Sequence, residues 1–335
     1  MQIAPIAVGS LNHFGGKDDD RVVVNILKCL PPRTLIDTAE LYGDGDTESV
    51  LGKCMTLAGQ QWATDNDDDS SSGIYCATKY APNMFRRKPE DVVQACQESI
   101  SKLKCQPLHL YQAHYSASIL PSLPFVGPVR DETVWEGLAQ CYEQGLVENI
   151  GVCNYGPKLI RQAHDYFAAR KIPLVSNQVN YNLMRASAAL ETVQVCDELG
   201  IAVLAYHPLG KGTLTGTYDE MDEPTMSKLK GKYSYYTLKR WLKSTPELRK
   251  AISQISSSTA MDGNAKKRSR SQVAVSWVIR KGRVPIIGAR SAEQAQDLLD
   301  AVDWELTDEQ VVILDEAAAL ANSNWTVLGK EFKLV

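Results

Sequence analysis

The sequence predicts an α/β protein in which eight parallel strands close into a (β/α)8 barrel, with extra helices outside it and long loops at its C-terminal face. Three observations carry this. Short β-prone apolar runs alternate with helical patterns along nearly the whole chain, and connections this short force parallel pairing. Three successive runs end in ionisable residues, Asp37, Lys79 and His114, with Tyr42 shortly after the first, which is where a barrel of this kind builds its active site. No GxGxxG follows a strand and no phosphate-binding P-loop occurs, so a dinucleotide site of the Rossmann type is not supported.

The elements follow in order. Ile3–Val8 is a first strand that stops at Gly9-Ser10. Asp18-Asp-Asp20 supplies N-capping carboxylates to a helix whose apolar face is Val23, Ile26, Leu27 and Leu30, and Pro31-Pro32 ends it. Thr34-Leu35-Ile36 is the second strand and leads to Asp37, and a helix spans roughly Thr47 to Leu57. The loop Thr64–Gly73 is acidic, polar and aperiodic, a surface insertion whose carboxylate spacing does not follow a calcium loop, so no metal is expected. Ile74–Thr78 is the third strand. Lys88-Pro-Glu-Asp91 then opens a helix that should bury Val92, Val93, Cys96, Ile100 and Leu103. Strand Leu108–Ala113 leads to His114, and Ser116–Arg130 reads as a loop over the barrel mouth.

Helix Asp131–Gln144 is closed by Gly145, and strand Leu146–Val152 follows. A helix begins near Pro157, strand Leu174–Val179 comes next, then helix Ala188–Leu199 and strand Ile201–Ala205. The stretch His207–Thr245 interrupts the alternation. Helix Ser271–Lys281, strand Val284–Ile287 and a final helix after Leu306, packed outside the barrel, complete the chain. The basic run Lys266-Lys-Arg-Ser-Arg270 reads as a solvated surface patch.

A barrel accommodates all 335 residues as one domain, 1–335, and 44% hydrophobic residues are ample for its core. A net charge of −4 argues against nucleic acid as the main partner. No apolar run approaches a membrane span. The N-terminus enters a strand almost at once and shows no targeting segment, so a cytoplasmic or plastid location is expected. Eight cysteines without a CxxC pair, several of them in apolar patterns, read as reduced, buried thiols.

The four residues at the strand exits have ordinary explanations when taken singly. An aspartate after a strand is a common cap or turn former, Asp–Lys pairs are often structural, and a lone histidine is often part of a core. Their coincidence points to chemistry. A charge at the exit of a buried strand needs a partner. A phenol, with an ordinary pKa near 10, serves as a general acid at neutral pH only if a nearby cation eases its ionisation. Lys79 would answer both needs. Ile36-Asp-Thr-Ala-Glu-Leu-Tyr-Gly43, Ala77-Thr-Lys79 and Tyr111-Gln-Ala-His114 together resemble the catalytic tetrad motifs of the aldo-keto reductases.

The later strands carry polar or aromatic residues at their C-terminal ends, and these too have two readings, since Asn and Gln close turns and Tyr206 could be core. Ile150-Gly-Val-Cys-Asn-Tyr155, Ser176-Asn-Gln178, Tyr206-His-Pro-Leu-Gly-Lys-Gly-Thr-Leu-Thr-Gly216 and Pro285-Ile-Ile-Gly-Ala-Arg290 look like the NADP-binding motifs of that family. The resemblance implies that Asn154 and Gln178 hold the nicotinamide carboxamide and that Tyr206 stacks on the ring. Pro208, Leu209, Gly210 and Leu214 would follow the pyrophosphate. Gly288 belongs to the motif in which Arg290 would meet the 2′-phosphate of NADP(H), and Gln294 would help hold the adenosine. Four positions depart from the family: Cys153 and His207 stand where serine is usual, Leu298 where asparagine is, and Leu11-Asn12 where an aromatic follows the first strand.

The resemblance runs from Gly9 to about Leu314. Trp135–Val147 and Asn154–Lys158 look most like the plastid aldo-keto reductases of plants and algae, pyridoxal reductase among them. It implies NADPH-dependent reduction of an aldehyde or ketone, with Tyr42 as general acid, Lys79 and Asp37 supporting it, and His114 orienting the carbonyl. The alternative is an NADP-binding regulator with little turnover, similar to the potassium-channel β subunits.

Overall fold

Every strand pairs in parallel with its neighbours in sequence, and the last pairs with the first, so the sheet closes into a barrel of order β1-β2-β3-β4-β5-β6-β7-β8. The computed structural model describes residues 3–10, 20–63, 73–121, 127–219, 235–258 and 267–325. Leu11-Asn12 and nearly all of the Thr64–Gly73 loop lie outside them. The strands are β1 (Ala7–Gly9), β2 (Leu35–Asp37), β3 (Tyr75–Tyr80), β4 (Leu110–Ala113), β5 (Ile150–Cys153), β6 (Leu174–Asn180), β7 (Ala202–Tyr206) and β8 (Val284–Ile287).

Between them run α1 (Asp20–Lys28), α2 (Thr47–Ala58), α3 (Pro89–Leu103), α4 (Asp131–Glu143), α5 (Pro157–Ala168) and α6 (Ala186–Glu198). After β7 come α7 (Tyr235–Ser244), α8 (Pro246–Ser258) and α9 (Arg270–Arg280), and after β8 come α10 (Ala292–Leu299) and α11 (Asp308–Trp325). The His207–Thr245 interruption therefore holds a helix, and α8 and α10 add to the elements expected. α11 packs against α8 and α6, outside the barrel. No described helix is long and apolar enough to cross a membrane.

The helix ends follow local chemistry. Pro89 occupies the first turn of α3, and the Asp91 carboxylate accepts the backbone N–H groups of Arg87 and Lys88 at 2.7 and 2.8 Å. Gly145 takes φ +68° beyond α4, with its N–H on Tyr142 O and that of Leu146 on Cys141 O, a Schellman closure. Ser269 and Gln272 form a reciprocal capping box at α9. Two arginines of the basic run are tied down: Arg268 lies over the Trp304 ring and reaches Asp300 O, and Arg270 pairs with Asp219. All eight cysteines are free, and all but Cys29 are buried.

Alternation along the strands sorts side chains into two cores. Ala7, Leu35, Ala77, Leu110, Leu204 and Ile286 form a small cluster inside the barrel. Val8, Ile36, Cys76, Tyr111, Ile150, Val152, Val203 and Ala205 join the larger core between barrel and helices. Counting by twos from the inner residues puts Asp37, Lys79, Gln112 and Tyr206 inside as well, one step nearer the C-terminal end. Parallel pairing gathers those ends at one mouth.

Candidate active site

Lys79 organises the mouth. Its ammonium is wholly buried and has three acceptors for its three protons: Asp37 Oδ2 at 2.7 Å, Thr38 O at 2.7 Å and the Tyr42 hydroxyl at 3.2 Å. The other carboxylate oxygen of Asp37 accepts from Gln178 Nε2 at 2.8 Å and, at 3.5 Å, from Gln112 Nε2. Cys153 Sγ reaches Gln112 Oε1 at 3.7 Å. The His114 ring lies edge-on to Tyr42, centroids 5.6 Å apart, and its Nδ1 is buried without a partner among the described residues. The four residues at the exits of β2, β3 and β4 are thus brought together in one cluster.

Burial acts on each of them differently. It works against the charge of Lys79, but Asp37 and Tyr42 more than offset it, and the ammonium's pKa lies above its ordinary value. Burial, reinforced by the Lys79 cation, lowers His114 to about 3, so its imidazole is neutral throughout the neutral range. For Tyr42 burial again dominates and raises the pKa; Lys79 pulls it down, while Asp37 raises it further. The expectation that Lys79 would leave Tyr42 more acidic than an ordinary phenol is therefore corrected: the cation limits a rise that burial imposes. Cys153 is held as a thiol, raised by burial.

The cofactor candidates surround the next quarter of the mouth. Asn154 takes φ +62°, accepts the Tyr206 hydroxyl at 2.9 Å and donates to His114 O at 3.2 Å. Gln178 spends one N–H on Asp37, which its place in the chain does not signal, and keeps its carbonyl oxygen and second N–H for another amide. Pro208, Leu209 and Leu214 lie on a tight coil in which His207, Gly210, Lys211 and Gly212 all take positive φ. A Cβ on Gly210 would stand 2.8 Å from Met184 Sδ, so a larger residue there would have to push that side chain aside. Thr213 Oγ1, in the same coil, is buried without a partner among the described residues, and residues of the coil, His207, Gly210 and Lys211, line a cleft together with Asn182 and Trp241.

Gly288 and Arg290 are exposed beyond β8, and Gln294, one turn into α10, accepts the Arg290 backbone N–H at 2.9 Å. Leu298 is turned into the hydrophobic core. An amide pair with hydrogen-bonding capacity left over, a tight coil of positive-φ residues with an orphaned hydroxyl and an exposed guanidinium at a helix start are the donor set a phosphorylated dinucleotide needs, so the residues fit NADP(H). Gln112 was missed. A polar amide inside the apolar run Leu110–Ala113 was the signal available.

Residues 32–319 match the Aldo/keto reductase family. The chloroplastic pyridoxal reductase of Arabidopsis thaliana is 35% identical over 291 residues, covering 85% of this chain and 72% of that protein. A probable aldo-keto reductase 1 of Glycine max is 27% identical over 300 residues, covering 86% and 76%. A Bombyx mori aldo-keto reductase solved in complex with NADP shares the fold at TM-score 0.66 and 22% identity, covering 94% of this chain and 89% of that one. A thermostable aldo-keto reductase solved with the inhibitor epalrestat does so at TM-score 0.68 and 21% identity, covering 94% and 95%.

Proposed function

The chain belongs to the aldo/keto reductase family, and from that premise we propose that it reduces an aldehyde or ketone to an alcohol with NADPH, Tyr42 giving the proton. The observation that carries this reading is the Asp37–Lys79–Tyr42 chain of contacts beside a neutral His114. NADPH held at this mouth would supply the hydride for the carbonyl carbon. Tyr42 holds its proton at neutral pH and delivers it to the carbonyl oxygen as negative charge develops there. Lys79, kept charged by Asp37, then stabilises the phenolate left behind. His114 can donate a hydrogen bond to the same oxygen without competing as an acid, because its ring is neutral. Asn154 and Gln178 would hold the carboxamide, Tyr206 would flank the ring, and Arg290 would meet the 2′-phosphate.

The relative in Arabidopsis makes pyridoxal the first carbonyl to try. NADPH consumption is measured with pyridoxal and a panel of simple aldehydes, for the wild type and for Tyr42→Phe. Aldehyde-dependent consumption that Tyr42→Phe abolishes is the expected result. Tight NADPH binding with no turnover on any carbonyl would sink this reading in favour of a cofactor-binding regulator.

A further inference from the structure

Tyr42 sits on a segment that the barrel does not hold by itself. It follows the end of β2 by five residues, and the distorted 3-10 turn Tyr42–Gly45 contains three residues at positive φ, Gly43, Asp44 and Gly45. Neighbouring Leu41 is 56% exposed and adds little packing. Yet proton transfer demands that the hydroxyl stay fixed against Lys79. Glu40 supplies the tie. One oxygen of its carboxylate accepts the Ala81 N–H at 2.6 Å, and both lie 2.7 Å from Arg86 Nη1. Its own N–H faces Lys79 O at 3.4 Å. The carboxylate thus binds the residue two before the phenol to the residue two after the ammonium.

We propose that Glu40 is a positioning residue, a brace between the exits of β2 and β3 that fixes the Tyr42 hydroxyl against Lys79. The proposal rests on the reading of Tyr42 as proton donor. The brace acts by geometry rather than by charge. Arg86, itself seated over the Tyr80 ring and fixed by Asn83 Oδ1 on its backbone N–H, neutralises the carboxylate. Burial, Lys79, Asp37 and Cys153 set the ionisation of Tyr42. What matters is therefore an acceptor oxygen in reach of Ala81, and the ion pair with Arg86 only steadies it.

Glu40→Ala, Glu40→Gln and Arg86→Met separate these parts. Glu40→Ala should lower kcat by about 10- to 100-fold, the scale of a misplaced catalytic group, with KM and NADPH binding (read from fluorescence quenching) near wild type. Glu40→Gln keeps an oxygen for Ala81, and Arg86→Met keeps the carboxylate, so both should stay close to wild type. In a Tyr42→Phe background Glu40→Ala should cost nothing more, because it acts through the missing hydroxyl.

A second readout needs neither cofactor nor turnover. In protein labelled with 13Cζ-tyrosine, the Tyr42 resonance, identified by its loss in Tyr42→Phe, should move or broaden in Glu40→Ala and stay put in Glu40→Gln. That arm decides on the brace even if no carbonyl substrate is found. Should Glu40→Ala not fold, Glu40→Asp, which keeps the charge and loses the reach, is expected to show the same kcat loss and resonance change. An undisturbed Tyr42 resonance in Glu40→Ala overturns the proposal, and so does a Glu40→Gln protein as damaged as Glu40→Ala.

Discussion

Replacing Lys79 by methionine tests stability and chemistry together. The side chain is wholly buried and that of Asp37 is 4% exposed, so the substitution leaves a carboxylate in the interior with only the Gln178 and Gln112 amides on its other oxygen. Methionine is close to lysine in length, so packing changes little and the loss is electrostatic. Breaking a buried pair by removing one partner costs about 3–5 kcal/mol. With ~2 cal/mol/K of unfolding entropy per residue over 335 residues, that lowers Tm by about 4–7 °C. Tyr42→Phe removes one hydrogen bond and should cost only about 0.5–1.5 kcal/mol, or about 1–2 °C. Their kcat values should nevertheless fall alike, by roughly 10²–10⁴ each, and the double variant should be little slower than either, because the two residues act as a unit. Circular-dichroism melting and steady-state kinetics provide both readings. A Lys79→Met protein that melts with the wild type would refute the ion-pair account, and a Tyr42→Phe protein with near-normal kcat would refute the mechanism.

His114 makes a pH prediction with a definite sign. Its folded pKa of about 3 lies below the unfolded value near 6.5, so its contribution is fully present above that value and is lost as pH falls through it towards the folded pKa. By pH ~5 the wild type should have lost about 2 kcal/mol that His114→Gln does not lose, read as a narrowing gap between their urea midpoints from pH ~7.5 downwards; parallel curves would show that the ring is not held neutral. Arg290→Ala should weaken NADPH binding by about 1.5–3 kcal/mol, the range of a charge-assisted hydrogen bond, and leave NADH nearly unchanged; equal losses for both would show that this exposed arginine serves another purpose.

The strand exits were legible because alternation and charge speak from single positions. Asp37 and Lys79 announce themselves as charges ending apolar runs, and parallel connections bring them to one mouth. Boundaries were less so. Leu146-Val147 reads as strand but only approaches it, touching Leu108 through an isolated bridge, and the ladder begins at Ile150. α8 carries its signal in Leu248, Ile252 and Ile255, buried at helical spacing, and was obscured by the polar stretch around it. The hydrogen bond from Gln178 to Asp37 was not legible at all, since the two residues lie 141 apart in the chain. Nor was the net effect on Tyr42, because a sequence shows which charges are near but not how little water is.

That dryness assigns the roles. One buried setting disfavours charge on lysine, tyrosine and histidine alike, and what separates them is the number of partners each finds. Lys79 has three acceptors, one of them a carboxylate, and keeps its charge. His114 has a cation nearby and a ring nitrogen with no partner among the described residues, and it stays neutral. Tyr42 has one ammonium contact, too little to ionise it against burial but enough to receive negative charge when the proton leaves. At neutral pH the mouth therefore holds one ion pair and two neutral groups able to donate, an arrangement suited to protonating a developing alkoxide. If Tyr42 gives the proton, as proposed, its hydroxyl has to stay in register with Lys79. The proposed Glu40 brace, joined to the backbone just past Lys79, would meet that requirement beyond the last ladder pair of β2 and β3, Asp37 with Ala77.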